Sequence, residues 1–226
     1  MNPLDQLQLE FETYTLYDDE CFPLLWDFHG KLRATWKYWL LNRSYLEPLV
    51  RDAKNDWHEM LHSTDIDDDF IESEEAKVHA DLQADEDDFD FIPLLQKSII
   101  IVTCLSLVEN LLRDTCQELG KTLKPEEGHS TISTACTLIT ECTDIQFSTE
   151  HLEAFDCFSH LRSAFLHRLD HKIEDANAAR VNKLTGPFAD ITKGLTPVHV
   201  DLCLRVLNDF GESFQDQYVN WSMSCK

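Results

Sequence analysis

Turn formers are scarce in this chain: its 226 residues include six glycines and seven prolines. An all-β domain built from many tight turns needs more, so that class is disfavoured. Basic residues are scarce as well, 19 Lys and Arg against 42 Asp and Glu, for a net charge of −23. A surface of that sign repels RNA or DNA over most of its area. None of the eight cysteines forms a C-x-x-C pair, which leaves neither a zinc ribbon nor a thioredoxin-type motif. Their helical, partly apolar surroundings mark them as reduced thiols packing like small hydrophobes. The opening "MNPLDQLQLEFETY" lacks the basic start and apolar run of a leader. Long apolar runs are also missing. The strongest, "IPLLQKSIIIVTCLSLVENLL" from Ile92, is interrupted by Gln96, Lys97, Ser98, Ser106, Glu109 and Asn110, and reads as a buried helix rather than a membrane span. The expectation is a cytoplasmic protein with no membrane partner.

What is present is enough for a core: 43% hydrophobic and 10% aromatic residues in a chain of domain size. The acidity is uneven. Residues 1–64 hold six basic and eleven acidic side chains, residues 91–226 twelve and eighteen, and residues 65–90 one and thirteen. About half the excess therefore sits in "DIDDDFIESEEAKVHADLQADEDDFD", which repels itself and reads as a mobile loop or a solvated helix, a linker or insertion. Such a run is either plain solvated chain, a lure for a basic partner or an intramolecular mimic of nucleic-acid phosphates, and deleting it is expected to leave the fold intact.

Helical periodicity flanks the run on both sides. Leu25, Phe28, Leu32, Trp36 and Trp39 or Leu40 form one stripe, and Pro48 is expected to break or restart that helix. Residues 92–119 read as one helix ending at Gly120, with Ile99, Val102, Leu105 or Ser106, Glu109 and Leu112 along one side. A short helix is placed near 131–142. Ser148 caps a helix running to about residue 173, with Glu150 in its first turn and Phe147 placed to staple onto Leu152. Thr196 and Pro197 open a final helix, and a short hairpin is expected somewhere in 176–195. The result is an all-α bundle.

One stretch of the helix capped by Ser148 stands out. "HLRSAFLHRLDH", residues 160–171, places three histidines and two arginines on a helix whose Leu161, Phe165 and Leu169 have core spacing. Three readings compete. His160 and His171 are ordinary polar positions at a helix edge in the first. In the second, His167 and His171, four apart with Asp170 nearby, hold a metal. Between them stand Arg168, Leu169 and Asp170, so arginine occupies the place of the H-E-x-x-H acid and opposes a cation. In the third, Arg162 fixes a phosphodiester and His167 moves the proton as a 2′-hydroxyl attacks. Five residues on a straight helix amount to about 500°, leaving the two side chains about 140° apart. Convergence then needs arginine's length, a helix bend or a second copy.

Context favours the third reading. The chain resembles the HEPN superfamily, small helical domains that include many metal-independent ribonucleases. The resemblance rests on "RSAFLH", Arg162 to His167, preceded by the apolar "LEAFDCFSHL". It extends to "CLSLVENLLRDTCQEL" with its acid at Glu109, and to the closing helix from Thr196. It covers roughly residues 92–220. Active members often carry asparagine after the arginine, where this chain has Ser163. The resemblance implies a HEPN-like bundle over 91–226, with 1–64 as an N-terminal helical section packing on it and 65–90 as an acidic insertion. It implies a homodimer whose Arg-x4-His motifs face each other and cut RNA, not DNA, without metal or cofactor. The setting is a toxin–antitoxin module or anti-phage defence, with an antitoxin or defence-system partner. Arg162 then binds phosphate and His167 is the general acid or base. Ser163 and Glu109 support the site, and Arg168 and Lys172 bind the RNA backbone. The alternative is a non-catalytic HEPN module that binds a partner protein or nucleotide, which the overall acidity favours.

Overall fold

The computed structural model describes residues 23–63, 74–124, 130–167, 175–185 and 190–224. Every regular element among the described residues is helical, so the all-α class holds. In chain order they are α1 (Pro23–Leu41), a π-helical turn (Asn42–Leu46), α2 (Glu47–Ser63), α3 (Glu74–Glu118) and α4 (Thr131–Cys142). α5 (Thr149–His167), α6 (Asp175–Thr185), a 3₁₀ turn (Ile191–Lys193) and α7 (Pro197–Ser224) follow.

α3 is the centre of the bundle and packs against α1, α2, α4, α5 and α7. Ile100, Ile101, Cys104, Leu105, Val108, Leu111, Leu112 and Cys116 are buried along it. At 100° per residue these positions cover about half of the helix circumference. The stripe expected from the sequence meets this face only in part: Leu105 and Leu112 are fully buried, whereas Ile99 is 45% exposed and Val102, Ser106 and Glu109 are half-buried. Apolar residues lie on both faces of α3, so periodicity alone did not select the buried one. The segment Ile92–Glu118 is long and apolar enough, by length and composition, to cross a membrane, and here it forms most of the central helix.

Two local expectations need correction. α3 begins at Glu74, not near residue 92, and continues through Pro93. Residues 74–90 of the acidic run are thus a helical extension of the core helix, while 65–73 lie outside the described residues. Glu, Ala, Lys, Leu and Gln are strong helix formers, and their propensity prevails over charge repulsion along this stretch. The hairpin placed in 176–195 is also wrong. The described part of that stretch is α6 and the 3₁₀ turn, with Ala178 and Val181 turned into the core.

The caps follow the local chemistry. Gly120, at φ 70°, donates to Gln117 O and Lys121 donates to Cys116 O, the paired bonds of a Schellman motif ending α3. Ser148 Oγ accepts from the His151 N–H at 3.1 Å and starts α5. Phe147, ahead of that cap, stacks on Phe210 and Phe214 of α7. At α7 the side-chain roles are shared differently. The His199 ring accepts the Thr196 N–H at 3.1 Å, from the position where a capping box carries Glu or Gln. Pro48 does not end the first helical run. A π-turn precedes it, with the Glu47 N–H bonded to Asn42 O, and the backbone stays αR on both sides. The widened turn eases passage of a ring that would otherwise press on the carbonyl four residues back.

α1 belongs to the core. Leu25, Phe28, Leu32 and Trp39 are buried against α3 and α7. Trp39 Nε1 donates to Asp201 Oδ1 at 2.7 Å, and Arg43 Nη1 donates to Asp201 Oδ2 at 3.0 Å. Five of the six described cysteines are buried, and all six are free thiols, with burial raising Cys136 to about 12.

α1 and α7 approach closely at Gly211, where an added Cβ would meet Phe28 Cε1 at 2.6 Å and His29 Cε1 at 2.9 Å. An exposed helical glycine gains from replacement by alanine; here Gly211→Ala is expected to cost about 1–3 kcal/mol by overpacking. Urea unfolding checks this, and an unchanged or higher midpoint contradicts it. Buried His29 and His199 and half-buried His151 give a pH test. Burial lowers the pKa of His29, His151 and His199 below 6.5. The unfolded chain therefore binds more protons than the native one in acid. Stability is fully present above about pH 6.5 and falls as pH drops toward the depressed native values. Urea midpoints compared between about pH 7.5 and about 5.5 should decline, and a flat profile contradicts the assignment.

Candidate functional site

α5 sets the site. Ala154, Phe155, Cys157, Phe158, Leu161 and Ala164 are buried, which fixes the rotation of the helix about its axis. With that rotation Arg162 sits half-buried at the shoulder of α5 and Ser163 is exposed beside it. Arg162 Nη1 donates to Glu109 Oε1 of α3 at 3.1 Å, with the two side chains 29% and 19% exposed. The sequence-predicted Arg162 and Glu109 are therefore brought together across 53 residues of chain. A guanidinium has five donors in a planar fork, so one bond to Glu109 orients the group and leaves donors for an incoming phosphate. Glu109 also offsets its charge, so this pair alone creates no cationic field. Arg113 lies four residues beyond Glu109, on the same face of α3, and is exposed.

α5 is α-helical without interruption from Thr149 to His167. A break in the helix therefore does not bring Arg162 and His167 together. The His167 backbone closes α5, while its side chain, together with Arg168, Asp170, His171 and Lys172, lies outside what the structure describes. No group of three His, Cys, Asp or Glu that could hold a metal occurs among the described residues. His160 is a half-exposed position at the helix edge, its Nε2 3.7 Å from Asp156 Oδ2.

The sequence reading missed a second set of groups one to two turns earlier on α5. A cavity of about 260 Å³ opens between the start of α4 and α5, lined by Ser130, Ser133, Leu152, Phe155, Asp156 and Ser159. Arg180 of α6 reaches Asp156 Oδ2 at 2.5 Å. The spacing of Asp156 and His160, four apart, was a visible signal. The part played by Arg180 was not, because α6 had not been placed. Ser133 also lines a second cleft of about 340 Å³ on the other side of α4, with Thr122, Thr137 and Lys124.

No family model, curated protein or solved structure matches this chain.

The Arg162–Glu109 contact ties α3 to α5 and is testable apart from any activity. Glu109→Ala is expected to lower unfolding free energy by about 1–2 kcal/mol, as a charge-assisted, half-buried bond is lost. Glu109→Gln, which keeps an acceptor, should recover part of that. Denaturant titration of both variants checks the expectation, and two wild-type midpoints contradict the pairing.

Proposed function

We propose that the chain is a HEPN-type endoribonuclease that works without metal and acts as a homodimer in a toxin–antitoxin or anti-phage setting. The observation that carries the reading is the Arg162–Glu109 bond. It holds a guanidinium in fixed orientation at the shoulder of α5, within an Arg-x4-His pattern. In the reaction so read, Arg162 binds the scissile phosphate and stabilises the charge that builds as the 2′-hydroxyl oxygen attacks phosphorus. His167, as general acid or base, moves the proton at the 2′-oxygen or at the departing 5′-oxygen. The products are a 2′,3′-cyclic phosphate and a 5′-hydroxyl. Ser163 supports the site from the next position, and Arg168 and Lys172 add cationic contacts to the RNA backbone.

The dimer has its own support. Ile92, Leu95 and Ile99 are exposed at 39%, 44% and 45%, and their spacing of three and four places them on one outer stripe of α3. An exposed apolar stripe on the central helix is surface that a second copy would cover. A second subunit would also supply the convergence that an uninterrupted helix does not.

A second reading is a non-catalytic HEPN module that binds a partner protein or nucleotide. Tyr38, Leu41, Tyr45, Leu46 and Leu49 are all 40% exposed or more on α1, the π-turn and α2, away from the proposed site in sequence. Such a cluster suits a protein partner, an antitoxin included.

Purified protein incubated with total RNA in EDTA separates the two. Cleavage is expected, leaving cyclic phosphate and 5′-hydroxyl ends. His167→Ala is expected to abolish it with little change in folding. Arg162→Lys should be strongly impaired, because an ammonium lacks the paired planar donors. Mixing His167→Ala with wild-type subunits should give less activity than the wild-type fraction predicts. Wild-type activity in His167→Ala overturns the assignment. Activity lost in EDTA and restored by zinc returns His167 and His171 to the metal reading.

A further inference from the structure

We propose that the cavity between the start of α4 and α5 is a guanine pocket, taking the base of the nucleotide whose phosphate meets Arg162. This rests on the ribonuclease reading and adds a base preference to it. Ser159 and Asp156 precede Arg162 on α5 by three and six residues, about 4.5 and 9 Å along the axis. Ser159 and Arg162 are neighbours on the helix surface. A base in the cavity and a phosphate at Arg162 are thus within the span of one nucleotide. At about 260 Å³ the cavity is smaller than pockets for drug-sized ligands and suits a single base.

The lining selects among the bases. Arg180 lies 2.5 Å from Asp156 Oδ2, and His160 also approaches that oxygen, at 3.7 Å. A carboxylate so paired by cationic donors presents only acceptor oxygens to a ligand. Guanine is the base whose pairing edge presents two adjacent donors, N1–H and the 2-amino group. Adenine and cytosine set a ring-nitrogen acceptor beside their single amino group. Uracil flanks its one N–H with two carbonyl oxygens, which a carboxylate repels. On the opposite side of the cavity, Ser130 Oγ already accepts from the Ser133 N–H at 3.1 Å, so its own hydrogen is directed elsewhere. Together with the Ser133 hydroxyl it provides donors for guanine O6 or N7. Ser159 donates to Phe155 O at 2.8 Å and keeps lone pairs for the 2-amino group. Leu152 and Phe155 give the base faces apolar walls.

Two readouts on the full-length protein test this in EDTA. The first is the dissociation constant of 3′-guanosine monophosphate against the adenosine, cytidine and uridine 3′-monophosphates, by calorimetry. The second is the nucleotide found 5′ of each cut in random-sequence RNA. The guanosine monophosphate is expected to bind about tenfold tighter than the others, and cuts are expected to follow guanine. Asp156→Asn should bring the affinity ratio to within about twofold, because an amide presents a donor where guanine also has donors. Asp156→Asn also loosens the link to α6, so Ser133→Ala is the second variant. It should lower the ratio severalfold with the thermal midpoint unchanged. Selective guanosine binding without any cleavage supports the pocket and counts against the ribonuclease reading. Cleavage with no base preference, together with equal affinities, overturns the pocket and leaves the ribonuclease reading standing. A guanine preference that both variants retain also overturns it.

Discussion

The bundle depends on covering α3. Its segment from Ile100 to Cys116 turns about half of the helix circumference inward, and a single neighbouring helix cannot cover so wide a face. α1, α4, α5 and α7 do so together, and the energetic driver is removal of apolar surface from water. Each covering helix is then held in rotation by its own inward residues. For α5 these are Phe155, Phe158 and Leu161, with Phe155 edge-on to Phe210 of α7 at 5.1 Å. That rotation puts Arg162 at the α3 seam, where Glu109 is the facing acceptor. The position of the candidate phosphate contact thus follows from core packing, and the charge pair refines it.

The same constraint makes the first helix indispensable. α1 fills a side of α3 that the resemblance, beginning near residue 92, leaves uncovered. Its tie to α7 combines a close backbone approach at Gly211 with polar bonds from Trp39 and Arg43 to Asp201. A carboxylate accepting from both an indole and a guanidinium, next to a π-turn, fixes where the chain passes from α1 into α2. The described exposed apolar side chains concentrate just there and along the outer face of α3. Core formation and surface left for partners are therefore separated along the same helices.

Features with short-range causes were legible in the sequence. Ser148 and Gly120 mark helix ends through bonds to residues three to five positions away, and both ends lie where their chemistry places them. The stripe of Leu25, Phe28, Leu32 and Trp39 was legible because α1 has one apolar face. The buried face of α3 was legible only at Leu105 and Leu112, because apolar residues occupy both of its sides. Its start was misplaced because the change in charge near residue 90 reads as a boundary, whereas the helix begins at Glu74, inside the acidic run, and passes through Pro93. α6 went unseen because it is short and buries little more than Ala178 and Val181. With it went Arg180 and the pairing with Asp156 that gives the cavity its character. In the site itself, Glu109 and Arg162 were legible one by one. Their contact is a tertiary fact that no spacing encodes.

The central claim is attack by an RNA 2′-hydroxyl on a phosphate held by Arg162. Its most direct test is an oligoribonucleotide cut at a mapped position and resynthesised with a single 2′-deoxy sugar immediately 5′ of that bond. The account predicts that cutting at that bond disappears in EDTA while cuts at unmodified positions continue. Continued cutting at the 2′-deoxy position would contradict it, because the proposed nucleophile would be missing.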